Sequence, residues 1–173
     1  MANITQPLNK NFLSQLGFQF SIKKLPAVNF FVQSVNLPGI EMGNPYQDTP
    51  FINIPIPGDH VKYNDLTVTF KVDEDMNNYI QVSDWILGLG FPDSFDQYKS
   101  LKEKSQLSGD SLLSDASLII TTSARNPSIE VQFLDAFPRS LTDLVFTTSD
   151  NNVEFLSATA TFKYRRHVIK RLQ

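Results

Sequence analysis

The sequence predicts a mainly β, α+β fold: a sandwich or barrel-like sheet with one long helix packed on it. Three observations lead there. Short runs with two-residue alternation recur along the chain, and one stretch after Val72 switches to a 3–4 spacing. Phe (14 residues), Thr and Val also recur, and these side chains suit a pleated, half-buried surface. With 173 residues, 41% of them hydrophobic, the chain is long enough for one sizeable core, so 1–173 reads as a single unit.

Residues 1–16 are polar, carry Pro7, and read as an N-terminal arm that either orders on a neighbour or frays. Regular pattern begins at Phe18, where Phe18, Phe20 and Ile22 alternate with Gln19 and Ser21 until Leu25-Pro26 breaks the run. Val28–Val35 follows as a second strand, ended by Leu37-Pro38-Gly39, and an antiparallel hairpin of these two is expected. Residues 39–50 carry two prolines and two glycines and show neither periodicity. Ile52, Ile54 and Ile56 then alternate, but Pro55 and Pro57 cannot donate to a ladder, so this strand belongs on an edge. An edge strand beside a long loop invites pairing with another chain.

Leu66–Val72 is the clearest strand, with Leu66, Val68, Phe70 and Val72 on one face and Thr67, Thr69 and Lys71 on the other. Met76, Tyr79, Ile80, Ser83 and Ile86 or Leu87 then mark one buried stripe of a helix, with Trp85 on or beside it. The carboxylates of Asp73-Glu-Asp75 suit its first turn, and Gly88, Gly90 and Pro92 stop it. Residues 93–115 form a polar insertion in which Phe95, Tyr98 and Leu101 hint at a short amphipathic helix. Strands resume at 116–123 and through Ile129, Val131 and Phe133, with a corner at Phe137-Pro138. A short strand, Leu144–Thr148, precedes the turn Ser149–Asn152 and a long last strand from about Val153 to Tyr164. Leu156, Ala158, Ala160, Phe162 and Tyr164 share one face of that strand, opposite Ser157, Thr159, Thr161 and Lys163. The expected total is seven or eight strands.

Chemistry is scarce. Cysteine is absent, which excludes disulfides, thiolate metal sites and cysteine nucleophiles. His60 and His167 are the only histidines and lack partners at metal or catalytic spacing. Gly88-Leu-Gly90 has neither the third glycine nor the Lys-Ser/Thr of a phosphate loop, and no G-x-S-x-G elbow occurs. No catalytic, cofactor or metal residue is assigned, and no enzyme is expected. Net charge is −3 and the pI about 5.3, against a broad nucleic-acid-binding surface. The first residues lack a basic-then-apolar signal and no run nears ~18 apolar residues, so a soluble product made in a cytoplasm, without a membrane partner, is expected.

The chain ends on a basic tail, 165–173, in which Arg165, Arg166, Lys170 and Arg171 suit an acidic patch on a neighbouring subunit, open solvent or nucleic acid. Candidate assembly contacts are these four with Leu37, Gly39, Ile40, Met42, Tyr46, Ile52 and Ile54. The competing classes are a monomeric β-sandwich binding module for carbohydrate or protein and a hydrolase with an unrecognised carboxylate site, against which the lack of any motif stands.

Three segments in order resemble the tail tube protein family of contractile-tailed bacteriophages. They are Leu37-Pro-Gly-Ile-Glu41 running to Ile56-Pro-Gly-Asp59; Tyr63–Val72 with Asn78–Trp85; and Ala136–Leu144 followed by Asn151–Phe155 and Ala158–Tyr164. Together they cover roughly residues 18–165. The resemblance implies a tail-tube fold whose protomers close into a six-membered ring. Such rings stack into a hollow tube, assembled in the host cytoplasm, that passes viral DNA with weak, transient contact. The implied partners are copies of the same chain, tail sheath and baseplate proteins, and the implied location is the virion tail. The same fold serves type VI secretion tubes, bacteriocin tails and baseplate rings. The 93–115 insertion and the basic tail depart from simple tube subunits, which leaves a baseplate or terminator ring as the alternative.

Overall fold

The alternating runs become strands in the computed structural model, which describes residues 11–107, 112–148 and 155–172. In chain order these are β1 (Phe18–Ile22), α1 (Pro26–Phe31), β2 (Val32–Val35), β3 (Ile40–Met42), β4 (Tyr46–Asp48), β5 (Asn53–Pro55), β6 (Val61–Tyr63) and β7 (Leu66–Lys71). There follow α2 (Asn77–Gly90), α3 (Phe95–Leu107), β8 (Ser114–Thr121), β9 (Pro127–Leu141), β10 (Ser157–Lys163) and β11 (Arg166–Arg171).

The main sheet runs β1-β8-β9-β10-β7-β2, with β11 added on β9, and every pairing is antiparallel. Strand β9 organises it. Its first half lies between β8 and β11, and its second half pairs with β10. The partner changes around Asp135, whose φ of 56° lies in the left-handed region. The corner expected at Phe137-Pro138 is therefore two residues earlier, and Pro138 stays in the strand opposite Phe162, beside a bulge.

The inward face carries the predicted apolar rows. Leu66, Val68 and Phe70 of β7 and Ala158, Ala160 and Phe162 of β10 are buried, as are Val131 and Phe133 of β9. Fully burying one such Phe or Val stabilises by ~1.5–3 kcal/mol. Helix α2 covers these rows with Val82 and Trp85, the latter 6.4 Å from the Phe162 ring and donating its indole N–H to Leu112 O at 3.1 Å.

Several expectations are corrected. The hairpin of 18–22 with 28–35 does not form, because β1 pairs with β8 and β2 with β7. Pro26 instead opens a short helix, for which its fixed φ is suited. That turn lets the Asn29 carboxamide accept from Ile22 N (2.8 Å) and donate to Ile22 O (3.0 Å), closing the edge of β1 in place of a strand. Helix α2 is rotated from the expected stripe: Asn78, Val82, Trp85 and Gly88 are buried, whereas Ile80 and Leu87 are exposed. Asn78 turns inward because its Nδ2 donates to Lys71 O at 2.7 Å, a polar use of a core position that apolar spacing cannot signal. Asp73 caps the helix, accepting from Asn77 N and Asn78 N, but the helix runs through Gly88 and stops with Phe91 at φ 37°.

The insertion holds a full helix, α3, with Leu101 against Gly88. Leu144–Thr148 is not a strand, and the turn 149–152 and most of the arm lie outside the described residues. Among the described residues there are eleven strands and three helices, more than the seven or eight strands and one long helix expected.

Candidate assembly surface

The Pro-rich segment read as a loop is a nested ribbon. Strand β3 pairs with β6 (Ile40↔Tyr63, Met42↔Val61), and β4 pairs with β5 (Tyr46↔Pro55, Gln47↔Ile54). Both strands of a two-stranded ribbon are edges, which is where Pro55 is tolerated. Between the two pairings the backbones touch: Gly58 N donates to Gly43 O at 2.7 Å. A Cβ on Gly58 would meet that oxygen at 2.4 Å, so only glycine fits. At the tip, the Thr49 hydroxyl accepts from Ile52 N and donates to Ile52 O, closing the turn.

No residue from 40 to 62 is buried. Phe51 is 98% exposed, Ile52 67%, Ile40 and Met42 57% each, and Ile54 46%. Tyr46, Ile56, Val61 and Leu37 at the base are exposed as well. A two-stranded ribbon is marginal alone, and this one presents its apolar side chains to water. Of the seven apolar or glycine candidates read from sequence, all lie on this ribbon or its base: Leu37 and Gly39 enter it, Ile40 and Met42 sit on β3, Tyr46 on β4, Ile54 on β5, and Ile52 just before β5.

The base is anchored. Tyr63 is half-buried, its ring 5.9 Å from Tyr164 and 5.1 Å from His167. Asn64 N donates to Gly39 O at 3.0 Å and its side chain to Glu41. Asp65 bridges two strands: one oxygen accepts from Arg139 Nη1 of β9 at 2.8 Å, the other binds Lys163 Nζ of β10. The Lys163 hydrogen bond, helped by Arg139 and opposed by partial burial, holds the Asp65 carboxyl below its ordinary pKa. Sequence reading did not single out Asp65; its position between two strands was the one available signal.

The basic tail is not a tail. Residues Arg166–Arg171 form β11 along β9, from Arg166↔Leu134 to Arg171↔Ile129. Arg165 pairs with Asp135 (Nε–Oδ2 2.9 Å), and Lys170 donates to Gln132 at 2.7 Å, so two of the four candidate cations bind their own chain. Arg166 and Arg171 are exposed. The strand forms because His167 faces inward, buried against Phe133 and Tyr164, with Tyr164 Oη 3.3 Å from its Nδ1. Burial lowers the His167 pKa and, with Tyr63 and then Asp65 adding to it, pushes the Tyr164 hydroxyl up to about 12. The candidates therefore fall on two surfaces, the ribbon and β11, joined through the Tyr63–His167 contact at the ribbon's root.

The outward face of the main sheet is rich in hydroxyls. Thr67 opposes Thr161 and Thr69 opposes Thr159, the latter pair 3.0 Å apart, with Ser21 and Ser117 2.9 Å apart on β1 and β8. Among the described residues no group of three or more His, Asp or Glu side chains is placed to hold a metal. Among the described residues no helix is long and apolar enough to cross a membrane.

The family model for phage tail tube protein matches residues 2–170. The anti-feeding prophage cap, a tube terminating cap, shares the fold at 16% identity and TM-score 0.64, over 99% of this chain and 100% of that one. So does a chain of the sheath/tube terminator of an extracellular contractile injection system in its extended state: 16% identity, TM-score 0.60, 96% of this chain and 99% of that one. A chain of the sheath-tube complex of such a system matches at 18% identity and TM-score 0.60, over 94% of both chains. No curated protein matches the sequence.

Proposed function

Because the chain belongs to the phage tail tube protein family, matched over residues 2–170, we propose that it closes into six-membered rings that stack into the inner tube of a contractile tail. The protein is a structural tail component with the tube fold. The observation that carries the ring-forming reading is the solvated apolar ribbon of residues 40–62, which is built, closed at its tip and left uncovered by the described residues of the protomer. Isolated edges and exposed apolar residues of this kind are satisfied by assembly. Sheath and baseplate proteins are the further partners. The outward hydroxyl face is suited to line a DNA conduit, since its hydroxyl rows are neutral, its two lysines are engaged within the chain (Lys71 with Phe155 O, Lys163 with Asp65), and an acidic chain gives phosphates little to hold.

The second reading is a ring at one end of the tube. It is favoured by the overlap with a tube terminating cap over 99% of this chain and 100% of that one. Sedimentation and negative-stain microscopy of the purified chain test both. Rings that extend into tubes, alone or when seeded, are the expected result. Rings that never extend would replace the repeating subunit by the terminal ring, and monomer at every concentration, seeded or not, would overturn assembly altogether.

A further inference from the structure

From the way the ribbon joins the body we infer that Asp65 is a positioning residue, which fixes the direction in which the ribbon points and so allows the neighbour to be engaged. This rests on the ring-forming reading above. The chain enters the ribbon from the body through 36–39 and returns to it through 63–65. From Ile40 to Phe51 an extended chain reaches at most about 35 Å. A play of ~10° at the joints would then move the tip by up to about 6 Å, more than the ~4.8 Å spacing between paired strands. A partner strand or pocket would be missed by a full register.

Asp65 removes that play from both sides. Its side chain is tied to β9 through Arg139 and to β10 through Lys163. Its backbone carbonyl accepts from Asn36 Nδ2 at 3.0 Å, and Asn36 Oδ1 accepts from Thr67 N at 2.6 Å, so the same residue locks the second joint. Arg139 and Lys163 belong to the body, whereas Asp65 stands between the last ribbon strand and β7. A merely local ion pair would not need to join two body strands to the root of a ribbon that buries nothing itself.

The absence of cysteine gives a direct test. Spin labels on cysteines placed at Asp48, near the ribbon tip, and Ser123, in the turn after β8, report the distance between ribbon and body below the assembly threshold. In the otherwise native chain one narrow distribution is expected. Asp65→Asn should broaden it by several ångströms, as the lever estimate gives, and raise the assembly threshold about fivefold or more. Asp65→Glu, which keeps the charge, should restore most of both. Arg139→Gln, which removes the more exposed half of the clamp, serves if Asp65→Asn does not fold.

An unchanged narrow distribution in the folded variants would overturn the inference, as would a broadened one with an unchanged threshold. If the native chain never assembled, the ring-forming reading would fall and take the clamp's role in engaging a neighbour with it. The label distances alone would still separate that outcome from a loose joint.

Discussion

Replacing Ile40, Met42 and Ile54 together by Ser should separate assembly from folding. Ile40 and Met42 keep 57% of their surface in water within the protomer, and Ile54 keeps 46%. Fully burying such a side chain stabilises by ~1.5–3 kcal/mol, so covering the exposed half adds about 1 kcal/mol each on assembly. Three such residues amount to ~3 kcal/mol per contact, roughly a hundredfold in the assembly threshold. Within the protomer the other half of each side chain is already covered by the ribbon itself, so by the same arithmetic unfolding of the unassembled chain should lose up to ~3 kcal/mol while the body stays folded. Sedimentation velocity across a concentration series reads the first quantity, and urea unfolding below the threshold reads the second. A loss of more than about 5 kcal/mol in protomer stability would show that the ribbon packs on its own body. An unchanged threshold would show that the ribbon is not a contact.

Two further outcomes follow from the packing. Trp85→Ala should cost ~3–5 kcal/mol in denaturant unfolding, because the ring is buried beside Phe162 and its N–H serves Leu112 O, while Ile80→Ala on the exposed face should cost about 0.5 kcal/mol or less; equal effects would mean that α2 is wrongly phased. The Tyr164 hydroxyl is raised to about 12, so the folded state keeps its proton longer than the unfolded chain, and stability fully present below pH ~10 is lost as pH climbs through 12. Two units correspond to ~2–3 kcal/mol, and Tyr164→Phe should flatten that alkaline arm in an unfolding series. His167 works at the other end: its pKa is lowered by burial, the unfolded chain binds the proton more readily, and stability should fall as pH drops below ~6.5, an arm that His167→Gln should remove.

Much was legible in the sequence. Alternation in Leu66–Lys71 and in Ser157–Lys163 fixed which side chains are buried, since the two-residue period leaves one choice of inward face. The Pro-rich stretch declared itself an edge through its missing donors, and the resemblance identified the family that the whole-chain match bears out. The apolar residues named as candidate assembly contacts lie exposed on the ribbon or its base. Other features were not available from local pattern. Strand β1 pairs with β8, some hundred residues away, because a strand's own sequence states its face but not its partner. The inward turn of Asn78 depends on Lys71 O, and the basic end became β11 because β9 offered an edge and Phe133 and Tyr164 offered a pocket for His167. Asp65 became the meeting point of two cations only when β9 and β10 came together beneath the ribbon. Periodicity is a property of one segment and survives any arrangement of the others. Register, ion pairing and the sites of buried polar groups arise between segments, and the tertiary structure alone decides them.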